Sequence, residues 1–172
     1  SFFDDSSEAV LRKVEKRQVD IGIASLPNEH EHSGIDFTPI WQDQIGLVCP
    51  VNHPLAEAEE IHWKELRKHR LIRNGTSRLL EGTEAEPLLK DSQFLISNML
   101  SLIAMLEVGL GVTTLPWFAF PKESKKLRFI PLTTPKIIRK IGIVQLSNKT
   151  LSPAAAALLA FILKKSAIEE ND

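Results

Sequence analysis

Hydroxyl side chains stand at three places where the chain pattern starts a helix. These are Ser6-Ser7 ahead of EAVLRKVEKR, Thr76-Ser77 within NGTSRLLEGTEAEPLLK, and Ser97-Asn98 at the head of SNMLSLIAMLEVGLGVTTLP. A helix start leaves backbone N–H groups without intrahelical acceptors and carries the positive end of the helix dipole. It therefore suits an anion, and it equally suits a plain side-chain cap; the residues alone leave both readings open. Gly75 precedes Thr76, so the hydroxyls of Thr76 and Ser77 and the adjacent N–H groups can converge on one acceptor. Arg78 stands next to them, either as charge partner for a carboxylate or as a solvated surface arginine.

Other reactive side chains point to blander roles. His30 and His32 alternate with acids in the polar stretch NEHEHSG. No further Cys or His lies near in sequence, so a solvated loop is expected rather than a metal site. Cys49 sits in an apolar extended run, as a buried inert thiol would. Ser, His and Asp all occur, but without a nucleophile-elbow G-x-S-x-G, a P-loop or a zinc pattern. Catalysis is not expected, and no cofactor or metal is implied. Trp41, Trp63 and Trp117 are scattered, which favours packing over a base-stacking platform.

The elements that must position these residues alternate along the chain. At 172 residues, 43% hydrophobic and 25% charged, the chain has the composition of an ordinary globular protein with an ample core. Lys and Arg number 21 against 22 Asp and Glu, for a net charge of −1. No global positive field is present to hold nucleic acid or an anionic membrane. There is no 18-residue apolar run and no basic-then-apolar signal pattern, so a soluble, cytoplasmic protein is expected. The single cysteine fits a reducing compartment.

After the first helix, with Val10, Leu11 and Val14 as its apolar face, VDIGIAS reads as a strand covered on both faces, half of a β-α-β unit. IDFTPIW and QIGLVCPV read as two extended runs separated by Gln42-Asp43. A short helix near residues 63–66, strands at RLIR, QFLI, GVTTLP, LRFIPL and RKIGIVQL, and a final helix over SPAAAALLAFILKKS complete an α/β pattern. Ser152 caps that last helix and Pro153 opens it. Gly109 and Gly111 mark a tight helix-to-strand turn. Extended stretches around 45–51 and 138–146 flank a middle block that could be its own α/β unit, a hinge arrangement that often carries a cleft.

VEKRQVDIGIAS, DQIGLVCPVNHPLA, LIRNGTSRLLE, SNMLSLIAMLEVGLGVTTLP and LSPAAAALLAFI occur in the order and spacing of the effector-binding domain of LysR-type transcriptional regulators. The chain resembles that family over essentially its whole length. The resemblance implies the two-lobed α/β fold of type 2 periplasmic binding proteins, with two crossing strands and a small-molecule effector between the lobes. Lobe one would be 1–47 plus 147–172, and lobe two 48–146. The resemblance also implies that Ser7, the NGTSR loop (Gly75, Thr76, Ser77, Arg78) and Ser25 face the effector. Serine rather than arginine at position 25 argues against an aromatic acid. Ser97 and Asn98 would border the cleft.

The family's winged helix-turn-helix, its linker helix, and the strand and helix that open its effector domain have no counterpart in these residues. Partners implied are thus a small, anionic effector, a second copy in a homodimer or higher homo-oligomer, and DNA only through a winged helix-turn-helix outside this chain; no membrane is implied. The helix carrying Val10, Leu11 and Val14 would supply half of the dimer contact. A periplasmic solute receptor of an uptake transporter shares the fold and is the alternative.

Overall fold

The computed structural model describes residues 2–25 and 34–169, with side chains to residue 166. It is a mixed α/β protein. In chain order it contains α1 (Ser7–Glu15), β1 (Ile21–Ser25), β2 (Ile35–Pro50), β3 (Ile61–His62), β4 (Leu71–Asn74), α2 (Glu86–Lys90), β5 (Phe94–Ile96), α3 (Met99–Glu107), β6 (Val112–Pro116), β7 (Leu127–Thr133), β8 (Ile138–Leu146) and α4 (Pro153–Glu169). The chain divides into two compact units, one of residues 1–42 with 140–172 and one spanning Asp43–Arg139. β2 and β8 each carry residues of both.

In the first unit β1 pairs antiparallel with β8, from Ile21↔Gln145 to Ser25↔Ile141. The β-α-β expectation concerns a strand ahead of α1, which this pairing does not test. β1 is not covered on both faces among the described residues, because Ile23 remains 45% exposed while Ala24 and Ser25 are buried. α1 begins where Ser6 accepts a hydrogen bond from the Ala9 N–H. Its Leu11 and Val14 are buried with Ala24 and Val144, and Val10 packs beside them. The apolar face of this helix thus belongs to the unit's own core, so a dimer contact on α1 would have to use its other faces. At the far end, Ser152 caps α4 by accepting from the Ala155 N–H.

In the second unit β2 is flanked by β6 and β7, both antiparallel. β4 then joins β6 and β5 in parallel. Alternation along β2 sends Ile45, Leu47 and Cys49 to one apolar cluster and Val48 to another, so both faces of this sheet are covered. Each fully buried Leu or Ile there contributes roughly 1.5–3 kcal/mol of hydrophobic stabilisation. Trp63 is 3% exposed and donates its indole N–H to the Pro135 carbonyl at 2.8 Å.

Three local expectations are corrected. Gln42-Asp43 does not separate two runs, because β2 is one 16-residue strand. An acid is tolerated in its middle because an arginine neutralises it, as described below. The NGTSRLLEGTEAEPLLK stretch is not one helix: a 3-10 turn (Ser77–Leu80) is followed by Gly82 at φ 74° and then by the short α2, whose first turn contains Pro87. Of the two glycines after α3, only Gly109 has positive φ, at 78°. It closes the helix with Gly109 N–H to Leu106 carbonyl and Leu110 N–H to Met105 carbonyl bonds. Gly111 is required for a different reason. A Cβ there would lie 2.6 Å from the Arg70 carbonyl oxygen, where β6 comes against β4.

Candidate functional site

β4 and β5 run parallel in register, Ile72↔Phe94 through Asn74↔Ile96. Both chains therefore leave the sheet at the same edge, and the segments that follow, 75–78 and 97–98, start beside each other. The carboxyl ends of parallel strands are the usual seat of ligands in α/β sheets.

Asn74 organises the first of these segments. It is 3% exposed. Its side-chain amide donates to Thr113 Oγ1 at 2.8 Å and to the Thr114 carbonyl at 2.9 Å. Its Oδ1 accepts from both the N–H and the hydroxyl of Thr76, at 2.8 and 2.7 Å. Its own N–H donates to Ser77 Oγ at 3.0 Å, and Thr113 Oγ1 donates onward to the Ile72 carbonyl at 2.6 Å. Every hydrogen-bonding position of the amide except spare lone pairs is thus used, which fixes the loop rigidly.

The acceptor on which the Thr76 donors converge is therefore Asn74 itself. Thr76 makes no side-chain cap, and the 3-10 turn after it is too short to carry a substantial dipole. Ser77 is 9% exposed. Gly75 stands outward; a Cβ on it would meet nothing within 4 Å. Arg78 is exposed, its Nε 3.9 Å from Glu81.

In the second segment Asn98 is the cap of α3, accepting from the Ser101 N–H at 3.0 Å. Ser97 is exposed and makes no hydrogen bond to another described residue. In the first unit, Ser7 Oγ accepts from the Ser25 N–H at 3.0 Å. This joins the start of α1 to the carboxyl end of β1 and leaves the Ser7 hydroxyl proton free to be donated. Ser25 is 7% exposed.

Two sets of residues escaped the sequence reading. Asn74 looked like a turn residue; the signal was an Asn-Gly pair directly after a strand, where an Asx turn is expected. Asp43 and Arg139 carried no local signal. Arg139 donates Nε to Asp43 Oδ1 at 2.8 Å and Nη2 to Oδ2 at 2.7 Å, and the Phe118 N–H donates to Oδ2 at 2.8 Å. The two side chains are 14% and 1% exposed.

Cys49 is fully buried in β2, and burial pushes its thiol up to about 11. No cluster of three or more potential metal ligands occurs among the described residues, and His30 and His32 lie outside them. No helix among the described residues is long and apolar enough to cross a membrane.

A family model described as the LysR substrate binding domain matches residues 1–167. An uncharacterized HTH-type transcriptional regulator, YbhD, of Escherichia coli is 32% identical over 142 residues, covering 79% of this chain and 45% of that protein. The transcriptional dual regulator GltC of Bacillus subtilis is 24% identical over 166 residues, covering 92% and 55%. The chain thus spans about half the length of these relatives. Among solved structures, the effector-binding domain of QuiR in complex with shikimate superposes with a TM-score of 0.82 at 22% identity, covering 97% of this chain and 81% of that one. Reduced OxyR superposes at 0.78 and 21%, covering 100% and 82%. The CcmR regulatory domain of Synechocystis in complex with 2-PG gives 0.75 and 16%, covering 94% and 80%.

Proposed function

The chain belongs to the LysR substrate-binding domain family, and from that membership we propose that it is the effector-sensing part of a DNA-binding transcription regulator, responding to a small anionic metabolite in the cytoplasm. Its matched relatives are named transcriptional regulators, which favours this reading over a solute receptor of an uptake transporter. DNA contact belongs to a winged helix-turn-helix outside these residues, consistent with a net charge of −1.

The observation that carries the ligand assignment is the loop after β4. It is fixed by the buried Asn74 and presents Gly75 to open space at the carboxyl ends of two parallel strands. Ser97, following β5, offers a free hydroxyl beside it, and Arg78 a nearby positive charge. Ser77 and Asn98 support the backbone of these two segments. Ser7 and Ser25 form the corresponding hydroxyl pair of the first unit, which stands for the lobe expected at 1–47 plus 147–172 but takes in 1–42 and 140–172. The structural relatives solved with shikimate and with 2-PG support a small polar ligand. A disulfide switch within these residues is excluded by the single, buried Cys49. Ligand alters activity only through its differential affinity for two conformations of the domain.

Self-association uses a second copy laid against α3 and β5. Leu95, Leu100 and Val108 are 57%, 79% and 72% exposed there, and among the described residues β5 pairs only with β4.

The test is a thermal-shift screen of small organic acids, followed by titration of the stabilising acid into Gly75→Leu. Because the added side chain enters open space, the variant should unfold at the wild-type temperature yet bind the acid at least tenfold more weakly. Undiminished affinity in Gly75→Leu would remove the loop after β4 from the site.

A further inference from the structure

The amino ends of β4 and β5 carry a concave feature of the second unit. A cavity of about 550 Å³ opens where these strands begin, at Leu71 and Phe94. Its floor is apolar: Leu66 and Leu71 are buried, with 1% and 7% exposure, Leu88 packs against the same core, and Phe94 is 39% exposed. Its rim comes from the sequence RKHR, of which Arg67, His69 and Arg70 line the cavity; Asp91 is the one acid on that rim.

The two arginines are electrostatically unspent. Neither forms an ion pair among the described residues, unlike the arginine and lysines at Asp43, Glu86 and Glu107. The Arg70 guanidinium carbon lies instead 5.9 Å from the centroid of the Phe94 ring. His69 is held edge-on against His53, ring centroids 4.8 Å apart, which keeps its ring at the cavity wall. Cationic forks beside an aromatic face and an apolar floor complement a flat anion: a carboxylate accepts two parallel N–H bonds from a guanidinium, and an aromatic body covers the floor. The volume lies within the range of small-molecule sites.

We propose that this cavity binds a small organic anion of the aryl carboxylate class, with its carboxylate held by Arg67 and Arg70 and its ring laid against Phe94 and Leu88. It is separate from the site of the proposed sensing function. β4 is four residues long, which puts the two at opposite strand ends roughly 10 Å apart. An aryl carboxylate bound here would act on the same two strands that carry the loops 75–78 and 97–98.

The experiment uses the 172-residue chain, ¹⁵N-labelled, titrated with 2-naphthoate and, separately, with acetate and 2-naphthylmethanol. Saturable shifts at the Arg67 and Arg70 Nε–H signals and at the Phe94 amide are expected with 2-naphthoate. Either control should bind at least tenfold more weakly, one lacking the apolar body and the other the charge. Arg67→Gln and Arg70→Gln should each weaken binding about tenfold, the loss of a charged hydrogen-bond partner. Arg70→Lys, which keeps charge but loses the fork, should fall between. Both arginines are exposed, so an unchanged thermal unfolding midpoint is expected and certifies the comparison. Equal binding by the Arg67→Gln/Arg70→Gln protein, equal binding of 2-naphthylmethanol, or shifts confined to Gly75, Thr76 and Ser97 would each overturn the proposal. The last outcome would leave the sensing reading intact, whereas loss of the sensing site in Gly75→Leu would not touch this one.

Discussion

Replacing Asp43 by Ala removes one half of an ion pair that is almost closed to water. Three charge-assisted or backbone hydrogen bonds end on that carboxylate, at 2.7–2.8 Å. Truncation leaves the Arg139 side chain, 14% exposed, without the carboxylate that neutralises it, and it orphans the Phe118 N–H. Removing one partner of a buried pair costs about 3–5 kcal/mol. Contrast Lys126–Glu107, where the lysine is 70% exposed; an exposed pair contributes at most about 1 kcal/mol. Urea unfolding followed by tryptophan fluorescence reads the difference, because Trp63 and Trp117 both lie in the second unit. With a slope of roughly 2 kcal/mol per molar urea, Asp43→Ala should lower the midpoint by about 2 M, and Lys126→Ala by less than about 0.5 M. Adding Arg139→Met to Asp43→Ala should recover much of the loss, since no buried charge then remains. An Asp43→Ala midpoint within about 0.5 M of wild type would refute the claim that this pair is buried and bidentate.

Three further outcomes are expected. Burial raises the Cys49 thiol to about 11 against an ordinary 9.0, so the native chain should not react with a disulfide reagent at pH 8 and should react fully in urea. Because the folded state holds that proton more tightly, stability should fall as pH rises from 9 towards 11, and Cys49→Ala should flatten that slope. Burial, and secondarily His69, lower the His53 pKa. The unfolded chain therefore binds the extra proton first, and stability should decline as pH falls below about 6.5. His53→Asn, which keeps an acceptor for the Leu55 N–H, should reduce that decline in urea titrations at pH 7 and pH 5. Gly111→Ala puts a methyl 2.6 Å from the Arg70 carbonyl, an overpacking that should cost roughly 1–3 kcal/mol by the same assay.

Much of the α/β order was legible because apolar runs and helix caps are local. Ser152-Pro153 named the start of α4 correctly, and Asn98 its place at the head of α3. What the residues did not disclose are relations across sequence distance. Asp43 looked like a break in a strand because its neutralising partner is 96 positions away. Leu11 and Val14 announced an apolar face, but nothing local says that Ala24 and Val144 are what cover it. The hydroxyl of Thr76 looked free because its bond to Asn74 depends on that amide being anchored by Thr113, 39 positions on. Gly111 looked like a turn glycine, and only the approach of Arg70's backbone shows that it is a contact glycine.

The Asp43–Arg139 clasp has a kinetic meaning as well. The first unit is built from two chain segments, one ending at residue 42 and one beginning at 140. Bringing such ends together across a flexible loop of about a hundred residues costs roughly 4 kcal/mol in chain entropy. Once the intervening segment has folded and its first and last residues are clasped, that loop has already been closed. Folding should accordingly be ordered, with the segment Asp43–Arg139 acquiring its hydrogen-exchange protection first and the flanking segments following. A lesion in the clasp would then slow the assembly of parts of the chain that it never touches.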